Sequence, residues 1–119
     1  MQPINLAGKL ATFDEPWSPR IVAELNGQHV KLVKLRGPFV WHHHEHEDEL
    51  FLVLKGQLTM RFRERDVVLE EGECLVVPRG VEHQPVAEEE VHVLLFEPAS
   101  TLNTGNVETE QTVREPERI

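Results

Sequence analysis

From Ile21 onward the apolar residues of this chain fall at every second position in short runs, and Gly, Pro or charged residues interrupt the runs at about ten-residue intervals. A period of two is strand geometry, because successive side chains of an extended chain point to opposite faces. Ile21-x-Ala23-x-Leu25 precedes Asn26-Gly27, and Val30-x-Leu32 beside Val33-x-Leu35 follows it. Asn-Gly between alternating runs predicts a tight hairpin, since both residues tolerate positive φ. Further strands are predicted at Phe39 to His44, Glu49 to Leu54, Gln57 to Arg63, Asp66 to Leu69, Glu73 to Val77, Val81 to Pro85 and Val91 to Glu97. Many short strands with regular turns predict an all-β fold, closed or built from two sheets. Leu50 to Leu54 and Leu94-Leu95-Phe96 are apolar at consecutive positions, so both faces of those strands need a cover. A second sheet or a second subunit would provide it.

The two ends read differently. Leu6, Leu10 and Phe13 are spaced four and three apart behind Asn5, which predicts a short capped helix, and Pro16 and Pro19 stop its continuation. Beyond Pro98 the chain is rich in Ser, Thr, Asn, Gly and Glu, and its apolar points are Leu102, Val107, Val113 and Ile119. That is too few for a core, so an extended tail is expected, mobile or lying on a neighbouring subunit. The predicted organisation is a helix and linker over residues 1–18, one barrel over 19–98 and a tail over 99–119.

A chain of 119 residues supports one domain with a genuine core. A formal charge of −9 argues against nucleic acid and anionic membrane surfaces, whose affinity comes from Lys and Arg. The acidic clusters Glu70-Glu71-Glu73 and Glu88-Glu89-Glu90 are read as solvated loops beside turns. With one cysteine, Cys74, no basic and hydrophobic leader and no long apolar run, the expectation is a soluble cytoplasmic protein. Cys74 lies in an apolar strand and is expected to be a small buried hydrophobe, not a nucleophile.

His42-His43-His44-Glu45-His46-Glu47-Asp48-Glu49 runs straight into Leu50-Phe51-Leu52-Val53-Leu54, so imidazoles and carboxylates crowd the mouth of a buried strand. This combination suggests a metal site. His42 and His44 share strand parity and can reach one ion, whereas Glu49 joins them only if the chain reverses through Glu45 to Asp48. Some thirty residues on, Gly72 leads through an apolar strand to Pro78-x-Gly80 and then to His83.

These two pieces resemble the motifs of the cupin superfamily. Gly37 precedes His42-x-His44, four residues separate His44 from Glu49, and six more lead to Gly56; Gly72, Pro78-x-Gly80 and His83 follow the spacing of the second motif. The gap from Gly37 to His42 is one residue short of the family pattern, and Ala87 stands where that pattern closes with Asn. The resemblance implies a jelly-roll barrel, the double-stranded β-helix, with His42, His44, Glu49 and His83 holding one divalent transition metal ion. Three imidazoles and one carboxylate suit Mn, Fe, Co, Ni, Cu or Zn, and an octahedral ion so held keeps two positions for a ligand. His43 has the wrong parity for the ion, His46 belongs to the turn, and His29 and His92 lie outside both motifs.

Phe51, Val53 and Met60 are expected to line an apolar cavity, and Arg61, Arg63 and Arg79 either to meet an anionic substrate or to face solvent. No catalytic acid or base is assigned beyond the ligands. The leading functional expectation is a metal-dependent cupin enzyme of isomerase, lyase or oxygenase type, dioxygenases included, acting on a small polar or carbonyl-containing molecule. Resemblance to the phosphomannose-isomerase-like short cupins suggests sugar isomerisation, but no basic cluster for a sugar phosphate is present. The competing expectation is a non-catalytic cupin that binds or senses a small molecule, and a storage barrel ranks below it. Small cupins often pair sheet to sheet, so a homodimer is expected.

Overall fold

The computed structural model describes residues 1–119 as an eight-stranded β structure with one short helix. The helix, α1 (Leu6–Leu10), is capped as the sequence predicts, the Asn5 side chain accepting a hydrogen bond from the Gly8 amide. The predicted hairpin joins β1 (Arg20–Leu25) to β2 (Gln28–Pro38), and Asn26 and Gly27 both take positive φ. There follow β3 (Glu49–Lys55), β4 (Leu58–Phe62), β5 (Asp66–Leu69), β6 (Cys74–Val77), β7 (His83–Pro98) and β8 (Glu117–Arg118).

β7 organises the barrel. Along one edge it pairs with β2, while its other edge pairs first with β4 and then with β3, which in turn carries β6. The sequence reading split this strand into two, over Val81 to Pro85 and Val91 to Glu97, with a solvated loop at Glu88 to Glu90. Those three acids are exposed, but they continue the strand through an irregularity: Leu35 of β2 faces Val91 while Gly37 faces Ala87. The mismatch bends β7, as bulges do, so that its two halves serve two walls.

Parity then decides what lies inside. Val33 and Leu35 of β2, Val91, Val93 and Leu95 of β7, Phe51 and Val53 of β3 and Leu58 and Met60 of β4 form the main core. On the outer face of the same strands, Leu32, Val22, Leu54 and Leu94 are covered by Leu6, Leu10 and Phe13 from the N-terminal segment and by Ile119 from the tail. Part of the cover that the doubly apolar strands require is thus supplied by the chain itself. Leu50, Leu52 and Phe96 stay half-buried on that face, next to exposed Val76.

Three further expectations need correction. Phe39 to His44 is not a strand; only His42 makes an isolated bridge, to His83. Cys74 is exposed, because β6 is an edge strand paired only with β3 and its parity turns Cys74 outward. The extended tail packs on its own barrel: Thr101 and Thr104 are buried, β8 lies parallel to β1, and the Ile119 amide donates to Ile21 O. Hydrogen bonds add to its few apolar points: Asn103 folds the tail on itself through Gln111 O and the Val113 amide, while Ser100 donates to Glu47 and Arg118 to Glu24 on the barrel. No helix is long and apolar enough to cross a membrane.

Candidate metal centre

His42, His44, Glu49 and His83 converge, with one ligating atom from each lying within 4.8 Å of the others and all four residues buried. The segment from His42 to Asp48 is irregular, so it needs anchors, and the second motif provides them. His42 and His83 exchange backbone hydrogen bonds of 3.0 and 2.9 Å, and the Gly80 amide donates to His44 O at 2.7 Å. Gly80 has φ +80°, a conformation that glycine adopts without strain, which explains the Pro-x-Gly turn. Arg79 donates through its backbone amide and its guanidinium to Asp48, closing the clamp. From the opposite side the tail holds the same segment, since His43 and Asn106 are joined by two hydrogen bonds. Gly105 sits so close that a Cβ there would collide with His43 O.

The rings are oriented from behind. His42 Nδ1 lies 2.8 Å from Val40 O and His83 Nδ1 lies 2.9 Å from Val81 O, so each Nδ1–H donates to a carbonyl and each Nε2 is turned inward. His44 Nε2 and Glu49 Oε1 are 3.0 Å apart, and His83 Nε2 and Glu49 Oε1 are 3.3 Å apart. Despite these separations, all three atoms are buried without an aligned hydrogen-bond partner. Converging, unsatisfied nitrogen and oxygen donors fit a cation between them, and the donor set suits a divalent transition metal. Charge favours the same reading. Burial, reinforced by the neighbouring His83, depresses His42 to a pKa of about 4, so its ring is a neutral donor at neutral pH. Burial pushes Glu49 upward, but the His44 and His83 imidazoles outweigh it and hold the carboxylate ionised.

The remaining histidines are elsewhere. His43 is half-buried beside Glu45, His46 is exposed in the turn, His29 pairs with Glu24 and His92 with Glu90. The three arginines all face outward: Arg63 stacks on Trp41 at 3.8 Å and meets Glu82, Arg61 meets Asp66 and Gln84, and Arg79 meets Asp48.

Inside the barrel, a cavity of about 40 Å³ adjoins His42 and Glu49 and is walled by Trp17, Phe39 and Phe51. Val53 and Met60, expected as lining, lie instead in the solid core. Trp17 stacks on Phe39 with ring centroids 4.6 Å apart, and its indole nitrogen donates to Arg36 O. The same cavity contains two groups that sequence reasoning missed, Lys31 and Glu97, joined by an ion pair of 3.2 Å and each 2% exposed. Burial first, and then the charge of Glu49, raises the Glu97 carboxyl well above its usual range, which Lys31 only partly offsets. A signal did exist: Lys31-x-Val33-x-Leu35 and Val91-x-Val93-x-Leu95-x-Glu97 place both charges on the inward parity of their strands.

Comparison with known proteins places this architecture. A profile described as the cupin domain matches residues 29–97, more than half of the chain, and the chain belongs to the cupin family. Among solved structures, it is similar to a cupin-2 domain containing protein from Shewanella frigidimarina, with 46% identity and a TM-score of 0.79 over 80% of this chain and 93% of that one. Protein NMB1881 from Neisseria meningitidis is 33% identical, with a TM-score of 0.76 over 82% of this chain and all of that one. KdgF from a Halomonas species is 28% identical, with a TM-score of 0.59 over 67% of this chain and 78% of that one. The uncharacterised protein YdbB of Bacillus subtilis is 38% identical over 64 residues, which make up 53% of this chain and 57% of that protein's length.

Proposed function

We propose that this cupin is a metal-dependent enzyme of isomerase, lyase or oxygenase type, acting on a small polar or carbonyl-containing molecule held in the barrel. The observation that carries the reading is the set of three buried, unpartnered donor atoms on His44, Glu49 and His83, placed beside a cavity that also holds a charged pair. His42, His44, Glu49 and His83 would hold one divalent ion, which would act as a Lewis acid toward a ligand oxygen. Around it, Trp17, Phe39 and Phe51 exclude water, and Lys31 and Glu97 meet the ligand's polar part. The outward pairing of Arg61, Arg63 and Arg79 argues against a sugar phosphate.

The test is a turnover screen of metal-loaded protein with sugars, keto acids and aromatic diols. Product formation with any class supports the enzyme. Ligand-induced thermal shifts without product would favour the second reading, a binding or sensing cupin, which the small cavity supports. We also infer a homodimer formed through the half-buried outer face of Leu50, Leu52, Phe96 and Val76. Sedimentation of wild type and Val76→Lys checks it, a dimer that becomes a monomer being the expected result. The lone, exposed Cys74 suits a reducing compartment such as the cytoplasm, which localisation of tagged protein tests.

A further inference from the structure

We propose that Lys31 and Glu97 form the second half of the ligand site, a donor and acceptor pair that reads a hydroxyl group on a small metal-chelating carbonyl compound. This rests on the metal-dependent reading above. An ammonium carries three N–H donors, and the hydrogen-bond partner of Lys31 is Glu97 Oε2 at 3.2 Å. The other carboxyl oxygen, Glu97 Oε1, is buried with no aligned hydrogen-bond partner, and the carboxyl lies beside that of Glu49. Buried polar groups in folded proteins are normally satisfied, so spare donors beside a spare acceptor mark an incomplete network that a ligand can complete. A hydroxyl fits both demands, accepting from Lys31 while donating to Glu97; a methyl group fits neither.

The surroundings narrow the ligand further. Val33, Leu35, Phe39, Phe51 and Leu95 wall the cavity with apolar surface, and Lys31 is the one cationic side chain lining it. A volume of about 40 Å³ admits roughly three water-sized groups, so the part of the ligand reaching past the ion is short. His42 and Glu49 line the same cavity, so a single small molecule can touch the ion and the pair together. A site built to bond a hydroxyl should reject the analogue that lacks it, because rejection leaves the buried groups unpaired.

Hydroxypyruvate and pyruvate make the test, since they share the chelating 2-oxo acid end and differ by one hydroxyl. Each is titrated into cobalt-loaded protein, followed by the visible spectrum of the ion and by calorimetry. Wild type should take cobalt one to one and bind hydroxypyruvate at least about tenfold more tightly than pyruvate. Lys31→Met, which keeps an unbranched apolar stem and removes the ammonium, should retain cobalt and lose that preference; Lys31→Gln serves if the first variant does not fold. Equal binding of the two acids to wild type, or a preference that survives in the folded variants, overturns the proposal while the metal reading stands. Failure of wild type to bind cobalt stoichiometrically overturns both.

Discussion

The two ends of the cavity solve the problem of buried charge in different ways. At one end, three imidazoles and a carboxylate come from an irregular loop and the starts of two strands, and their donor atoms point at a common centre without satisfying one another. At the other, Lys31 and Glu97 come from the middle and end of two neighbouring regular strands and partly neutralise each other. The first arrangement leaves donor atoms that a bound cation could satisfy. The second persists unaided and keeps some bonding capacity in reserve. Desolvation penalises both, so each should respond sharply when one member is removed.

The largest effect should come from the first end. His83→Ala or His44→Ala is expected to abolish tight stoichiometric metal, and so is His42→Ala, whereas His43→Ala should retain it; metal analysis of untagged protein decides. Loss of the ion in His43→Ala would break the distinction. Next, Glu97→Ala should destabilise the fold by about 3–5 kcal/mol by stranding the Lys31 charge. Replacing both by apolar residues of similar volume, Lys31→Met with Glu97→Leu, should be far milder, as denaturant titration would show.

The two ends should also respond to pH with opposite sign. Metal-free protein should lose up to about 3 kcal/mol as pH falls from 6.5 toward 4, because the unfolded His42 takes up a proton that the folded ring resists until its depressed pKa of about 4. Glu97 acts the other way. Its folded pKa is raised, so its contribution is whole below the unfolded carboxyl value of 4.5 and is lost as pH rises above it. Glu97→Gln should therefore flatten the loss at higher pH and leave the acid limb intact in a pH series of denaturation midpoints.

A smaller effect is expected from Gly105→Ala, which would push the tail from His43 O and force a side chain into φ +57°. A loss of about 1–3 kcal/mol with weakened metal retention would show that the tail steadies the ligand loop. Smallest of all, Arg63→Ala should leave metal stoichiometry and ligand binding unchanged, because its partners Trp41 and Glu82 lie outside the cavity.

Much of this was legible beforehand. The Asn5 cap, the Asn26-Gly27 hairpin and the strand from Asp66 to Leu69 follow from local rules that act within a few residues. The convergence of His42, His44, Glu49 and His83 was legible because motif spacing records a tertiary arrangement in linear form. What failed was long-range. Phe39 to His44 has strand composition, yet its backbone bonds are divided among β7, the Gly80 turn and the tail and form no continuous ladder. The break read at Glu88 to Glu90 was a bend, since local polarity does not reveal that a partner strand continues alongside.

Alternating apolar residues, turn chemistry and two spaced motifs determined by themselves a strand-built chain carrying a histidine and carboxylate cluster. Only the tertiary structure decided that Lys31 and Glu97 share a cavity with that cluster, and that the tail fastens the loop bearing it. The physical reason is that periodicity fixes which face a side chain takes. Which strands become neighbours, and hence which buried charges meet, depends on the register of pairings tens of residues apart.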